Sequence, residues 1–421
     1  MEDFKPLIKN TKFVHLWVSQ ILSQLTINIM NFLLLIRIFE HTGSSIATSL
    51  LWAAYALPAA IIGPFAAVSA DMADRRKILM IANLAQSAAV FAYGLGFRTS
   101  FFLVYGIALT YSFLNQFYVP AELATLPEVV NKKRLPQANG LFFLTQQGAL
   151  IIGFSVAGLL KHFWGFSNSI FLCSAFLFLA FLSVSFLPEM KAKQYLPKNF
   201  EKKILKFFER IVEGYLFIKQ NRTILLPFLL LMGLQVSLAM LVANLPVLAT
   251  DILKININTA GIGIVAPVGI GAVLGAILVP KFIKKGWRKK RIIETFLMSI
   301  TISLFLFTFL IPEISGIARI ILAVIIIIVI GMSFIGIIIP SQTFLQEATP
   351  GGLRGRVFGN FWFLVTVATI LPIIFSGAIT EIFGIRFLCL LLTSFGFIAL
   401  VVSKKFGQKM LVNSFNISKN A

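Results

Sequence analysis

The sequence predicts an all-α integral membrane protein of twelve transmembrane helices, arranged as two six-helix, pseudo-symmetric bundles. Three observations carry this reading. Of the 421 residues, 58% are hydrophobic and 13% charged, and a soluble chain exposing that much apolar surface would aggregate. Apolar runs near the roughly 20 residues a span requires alternate with short charged segments. Finally, a proline-marked pattern of the first half returns in the second half at a nearly constant offset.

The apolar runs cover residues 13–39, 46–70, 78–96, 101–126, 137–160, 168–187, 224–250, 259–283, 292–311, 314–340, 357–380 and 385–402. Each is expected to be a helix, because an isolated strand cannot satisfy its backbone in lipid. If the N-terminus lies inside, 31 of the 37 Lys and Arg fall on that side. Arg37, Arg98, Lys161, Lys254, Arg319 and Arg386 remain outside. This asymmetry places both termini in the cytoplasm of a multi-pass cell-membrane protein, a bacterial inner membrane being the expected one. The formal net charge of +21 would suggest a nucleic-acid partner in a soluble protein. Here the cations lie between spans, so the charge is topological and no nucleic acid is expected. Cys173 and Cys389 lie inside apolar runs and read as buried side chains, with no disulfide, metal site or cofactor implied. The first twelve residues are too polar for a signal peptide, so the first helix is expected to stay.

Between the second and third runs stands the segment 62–79, IGPFAAVSADMADRRKIL. It is too short for a domain and too charged for lipid, so it marks a membrane boundary. It resembles the signature of the major facilitator superfamily, roughly Gly-x-x-x-Asp-Arg-x-Gly-Arg-Arg/Lys. Asp71, Arg75 and Arg76 match; Ala67, Met72 and Asp74 stand where the first Gly, the Arg and the second Gly would be. Gly63-Pro64 and Asp74-Arg75-Arg76 look like the transmembrane secretion effector, or drug and siderophore efflux, branch. The resemblance extends to 213–222 and to the loop LRGRVFG at 353–359. It implies a cytoplasmic gate made of Asp71, Asp74, Arg75, Arg76, Arg354 and Arg356, with Asp71 capping the start of span eleven. One departure weakens the antiporter reading: span five reads GFSVAG at 153–158, without the Gly-Pro that such exporters often carry.

Residues 188–222 form the longest polar stretch and divide the spans six and six. The expected units are therefore 1–187, a linker at 188–222 and 223–421. In the linker, Phe200, Ile204, Phe207, Phe208, Ile211 and Tyr215 recur at helical spacing among Lys202, Lys203, Lys206 and Arg210. That pattern is an amphipathic helix for the inner membrane face. The internal repeat supports the division: Pro120, Pro127 and Asn139 return as Pro340, Pro350 and Asn360, 220, 223 and 221 residues later. Two parallel six-helix units are the architecture of the resembled fold.

Polar side chains inside a bilayer are costly unless they pair or face water. Span one carries Gln20, Gln24, Asn28 and Asn31 on one helix face. Span four carries Tyr111, Asn115, Tyr118 and Glu122 in the same way. Span five adds Thr145, Gln146 and Gln147, span seven Gln235 and Asn244, and span ten Ser333, Ser341, Gln342 and Gln346. Interhelical hydrogen bonding is one account of them. The resemblance implies the other, because in that family the first and fourth helices of each repeat line the central cavity. On that account the substrate cavity holds Gln20, Gln24, Asn28, Asn31, Tyr111, Asn115, Tyr118, Gln146, Gln235, Asn244 and Gln342. This neutral lining suits an amphipathic organic solute better than phosphate or sulfate, which call for an Arg or Lys cluster. Glu122, with Glu347 as second candidate, could exchange a proton for the solute. Arg37 and Glu40, at the outer end of span one, read as an interfacial anchor. Gly148, Gly153, Gly158, Gly271 and Gly275 read as close helix packing.

The chain carries no Gly-x-x-x-x-Gly-Lys-Ser/Thr motif, so energy must come from an ion or solute gradient. The reading is a monomeric secondary active transporter working by alternating access, an exporter with protons and lipids as further partners. A lysophospholipid or lipid-precursor flippase of the same fold is the alternative. His15, His41 and His162 lie far apart at span ends, so a membrane-embedded enzyme is a remote reading and none is expected.

Overall fold

The computed structural model describes residues 5–69, 73–190 and 200–417, and among them every regular element is helical. Helix α1 is Thr11–Thr42. Asn10 caps it by accepting from the Phe13 N–H, while its amide donates to the Val129 carbonyl at 2.7 Å. The helix stops at Gly43, whose φ of 60° is the left-handed conformation that glycine adopts at least cost. Helix α2 is Ser45–Ser69, α3 Arg75–Gly96 and α4 Leu103–Val129. Prolines 58, 64, 120 and 127 lie within α2 and α4.

Leu135–Ser185 is helical throughout except at Gly165, where φ 79° and ψ 165° break the ladder. It is thus two spans, α5 (135–164) and α6 (166–185), and the connection between them collapses to one glycine. Helix α7 is Phe200–Gln220, α8 Arg222–Ala243, α9 Ala266–Lys284, α10 Lys289–Phe309, α11 Gly316–Ala348, α12 Gly351–Phe383 and α13 Ile385–Ile417. Among the described residues, ten segments are long and apolar enough to cross a membrane, with 132–185 counted once. Separating α5 from α6 and adding α4, whose polar stripe lowers its apolarity, brings the spans to twelve.

Several boundaries differ from those the apolar runs suggest. Span seven stops as an α-helix at Ala243, and a wider turn then carries the chain through Leu248–Leu253. Spans ten and twelve run past Pro340 and Val402 to Ala348 and Ile417, and span eleven begins already at Gly351. Hydropathy locates the lipid segment of a helix, whereas backbone hydrogen bonding continues into the polar region until a cap or breaker stops it.

Contacts divide the chain into two compact units: 1–43 with 50–208, and 44–49 with 209–421. In the first, Phe13, Leu16, Leu79, Leu126, Phe142 and Val184 pack a buried core from five helices. In the second, Ile218 of α7 joins Phe228, Leu345 and Phe361 in one cluster, while Val279, Leu297, Ile337 and Leu400 form another. The start of α2 belongs to the second unit. There Glu381 accepts from the Ser44 hydroxyl at 2.5 Å and the Ile46 N–H at 3.0 Å.

Helices α9 and α11 meet backbone to backbone. A Cβ on Gly271 would lie 2.0 Å from the Ile328 carbonyl, and one on Gly331 would lie 2.2 Å from the Val268 carbonyl. In the first unit, a Cβ on Gly153 would meet the Asn28 side chain at 2.6 Å. Gly148 has open space instead, so close packing does not account for it.

Candidate functional site

The polar stripe of α4 meets α1 and α3 inside the first unit. Helical spacing puts Tyr118 and Glu122 one turn apart on one face of α4. Ser19 lies opposite on α1, and Asn83 on α3. The Tyr118 hydroxyl donates to Glu122 Oε1 at 2.9 Å. Ser19 Oγ lies 3.2 Å from that hydroxyl, and Asn83 Nδ2 donates to Ser19 Oγ at 3.1 Å. Because a carboxylate only accepts and Tyr118 has a single hydroxyl proton, the direction is fixed from the Glu122 end: Tyr118 donates to Glu122, so Ser19 donates to Tyr118 and accepts from Asn83. All four side chains are buried, Glu122 being 4% exposed. Among the described residues Glu122 is in none of the ion pairs. A carboxyl without a cation in such surroundings is a group that can take or release a proton.

Asn83 also presents a buried Oδ1 with no partner. A second layer lies further along α3: Gln86 donates to the Tyr111 carbonyl at 3.4 Å, and Ser87 donates to the Ser174 carbonyl at 2.9 Å. Reading spans one and four alone missed Asn83, Gln86 and Ser87. Their i, i+3, i+4 spacing within an apolar run was the available signal.

This polar chain lies in one of two six-helix units, on a helix that is the fourth of its repeat. Residues 16–372 match the profile described as Major Facilitator Superfamily. The chain belongs to the Major Facilitator Superfamily. It is therefore a transporter of small-molecule solutes, a multi-pass membrane protein and not an enzyme. It is 26% identical over 413 residues, 95% of each chain, to the uncharacterized MFS-type transporter YfiS of Bacillus subtilis (strain 168). It is 28% identical over 158 residues, 36% of this chain and 38% of the relative, to macrolide efflux protein A of Streptococcus pyogenes. Among solved structures, a bacterial homolog of the human lysosomal transporter Spinster, inward-facing and occupied, aligns with TM-score 0.75 and 14% identity, covering 95% of this chain and 97% of that one. The nucleoside transporter NupG aligns with TM-score 0.69 and 15% identity over 96% and 99%. At these identities the structural neighbours establish the fold alone.

In this transporter the remaining predicted residues separate into two groups. Gln20 is buried and donates to the Phe142 carbonyl at 3.0 Å. Asn28 donates back to the Gln24 carbonyl at 2.7 Å, and Asn31 and Tyr111 are buried. Asn244 is fully buried and donates to Met240 O and Ser376 Oγ, both at 2.9 Å. Gln20 and Asn244 thereby tie neighbouring helices together, while Asn28 bonds within its own helix. Gln24, Asn115, Gln235 and Gln342 are half-buried and Gln146 is exposed, so their amides are accessible.

Glu347 is exposed and ion-paired with Lys289, unlike Glu122. Asp71 lies outside the described residues, as do the side chains of Arg354 and Arg356. Asp74 is the N-cap of α3, accepting from Arg76 N at 3.0 Å and Met190 N at 3.4 Å. Arg75 holds Glu128 and the Ala124 carbonyl, and Arg76 holds the Ser185 carbonyl. The described part of the hairpin is thus bound into its own bundle. Arg37 donates to the Phe97 carbonyl with its guanidinium over the Phe97 and Phe166 rings, while Glu40 pairs with Lys161. It is pinned inside the bundle end, a tighter role than the interfacial anchor expected.

Proposed function

We propose that this transporter is a proton-coupled exporter of amphipathic organic compounds that works by alternating access, with Glu122 as the group that carries the proton. The supporting observation is the buried Glu122 carboxyl at the end of a one-directional donor chain, without an ion-pair partner among the described residues. A proton on Glu122 removes the need for an accepted hydrogen bond and frees the Tyr118 hydroxyl to turn. The carboxyl state is thereby coupled to α1 and α3. The repeat places Gln342 where the first half has Glu122, so the proton site belongs to the first bundle alone. Each bundle has accessible amides that can offer neutral hydrogen bonds: Gln24, Asn115 and Gln146 in the first, Gln235 and Gln342 in the second. Outward transport is supported by the match to macrolide efflux protein A and by the hairpin at 62–79.

The test is transport in proteoliposomes of the purified protein under an imposed pH gradient, with macrolides, siderophores and lysolipids offered in turn. Glu122→Gln should abolish gradient-driven movement of the transported compound and spare its exchange at equal pH. Gradient-driven movement at the wild-type rate in Glu122→Gln would assign the proton elsewhere. Movement of lysolipids alone would replace the exporter with the flippase.

A further inference from the structure

The two bundles treat one equivalent helix seam differently. In the first, α1 is stitched to α6: Thr26 donates to the Cys173 carbonyl at 3.3 Å, and Ser183 donates to the His15 carbonyl at 2.8 Å. The counterparts in the second bundle are α8 and α13. They touch at Gly233, where a Cβ would lie 2.5 Å from the Phe395 ring. Around that point a cleft of about 670 Å³ opens, and its walls are almost wholly apolar. At about 30 Å³ per water-sized group, it holds roughly twenty such groups, the bulk of a single acyl chain. Its wall on α8 runs from Leu226 to Met240, about 21 Å at 1.5 Å per residue. That is more than one leaflet, about 15 Å, of a hydrocarbon core about 30 Å thick, so an acyl chain fits along it.

One end of the cleft is cationic. Lys289 and Lys290, the first residues of α10, line it. Ser403 of α13 lines it too and donates to Glu294 at 3.2 Å, which ties α13 to the start of α10. Arg288 and Arg291 flank the two lysines, and Lys404 and Lys405 follow Ser403. The two lysines that line the cleft pair with Glu347 and Glu294. The Glu347 side chain is 61% exposed, and a pair so open to solvent yields readily to a better anion. An apolar slot long enough to span one leaflet, with a cationic mouth, has the shape and charge to take an anionic phospholipid. On the orientation argued from the Lys and Arg distribution, this mouth lies in the cytoplasmic leaflet, where anionic lipids attract basic clusters.

We propose that the α8–α13 cleft is a binding site for one anionic glycerophospholipid, with an acyl chain along α8 and α13 and its phosphate at Lys289 and Lys290. The site is separate from the Glu122 chain, which lies in the other bundle. Bound lipid fills the seam that side-chain hydrogen bonds close in the first bundle.

Native mass spectrometry of the full-length detergent-solubilised protein tests it, with equimolar phosphatidylglycerol and phosphatidylethanolamine as probes. Wild type should retain phosphatidylglycerol preferentially. Each Lys→Gln change, at Lys289 and Lys290, should reduce that preference by about fivefold, and the Lys289→Arg/Lys290→Arg variant should keep it. Val236→Trp fills the cleft and leaves the cations in place, so it should lower retention of both lipids. The proposal fails if wild type holds the two lipids equally, if the double Gln variant keeps its preference, or if Val236→Trp retains lipid as wild type does. Displacement of phosphatidylglycerol by a transported macrolide would instead make the cleft a solute site and overturn the lipid assignment.

Discussion

Tyr118 has one hydroxyl proton, and Glu122 receives it. Tyr118→Phe leaves that buried carboxyl short of its donor, at a cost of about 1–3 kcal/mol. The detergent-solubilised variant should unfold at lower temperature, and gradient-driven transport should weaken; an unchanged melting curve would show that the hydroxyl bears no weight. Asn83→Leu should act through a different link, because it removes the fixed donor at the far end and lets Ser19 turn. Transport should then lose steepness with pH while Glu122 remains present. Asp74 illustrates a residue whose chemistry was legible while its local partners were not. A carboxylate next to two arginines reads as a gate, yet it caps α3 and also holds the Met190 N–H. Losing a cap costs about 1 kcal/mol. Asp74→Ala should therefore lower stability by about that much in denaturant melts and leave transport intact in protein that remains folded.

Two elements show how backbone proximity and an exposed apolar face decide behaviour. Helices α9 and α11 approach until Gly271 and Gly331 face carbonyl oxygens of the partner helix. Carbonyl backbone cannot step aside as a side-chain tip can, so Gly331→Leu should destabilise the second bundle by about 1–3 kcal/mol or more. Reduced yield of monodisperse protein and a lower melting temperature are the readouts, with Gly148→Leu, which meets open space, as the neutral control. Helix α7 leaves Leu205, Phe208, Val212, Tyr215 and Leu216 exposed. Their spacing of three and four residues makes one apolar face, which suits a helix lying in a membrane interface. Aspartate at Val212 should release α7 from that interface, measured as increased proteolysis between the two bundles.

At the scale of the whole molecule, the twelve spans alternate in direction and their cations concentrate on one side. A cysteine replacing the exposed Glu209 should react with an impermeant thiol reagent from the cytoplasmic side alone. Labelling from outside intact cells would reverse the orientation and, with it, the leaflet assigned to the α8–α13 cleft. Cys173 and Cys389 are buried and free, so neither should contribute background labelling.

The membrane class and the number of spans were determined by the sequence alone, because hydropathy is a property of composition over about 20 residues and needs no tertiary partner. The repeat was equally legible, since a fixed offset between proline-marked segments survives without coordinates. The polar stripes were legible as stripes but not by role. Gln20 and Gln24 lie one turn apart on the same face, yet Gln20 is buried on the Phe142 carbonyl while Gln24 stays half-accessible. Periodicity fixes the angle of a side chain around its own helix; what stands at that angle depends on neighbouring helices far away in sequence. For the same reason the partnership of Glu122 and Tyr118, four residues apart, could be anticipated on α4. The arrival of Ser19 and Asn83, 99 and 64 residues from their partners, was decided by how three helices pack. The lipid-sized cleft belongs wholly to that level, because it exists where α8 and α13 do not close on each other, and a gap between two helices leaves no pattern in either one.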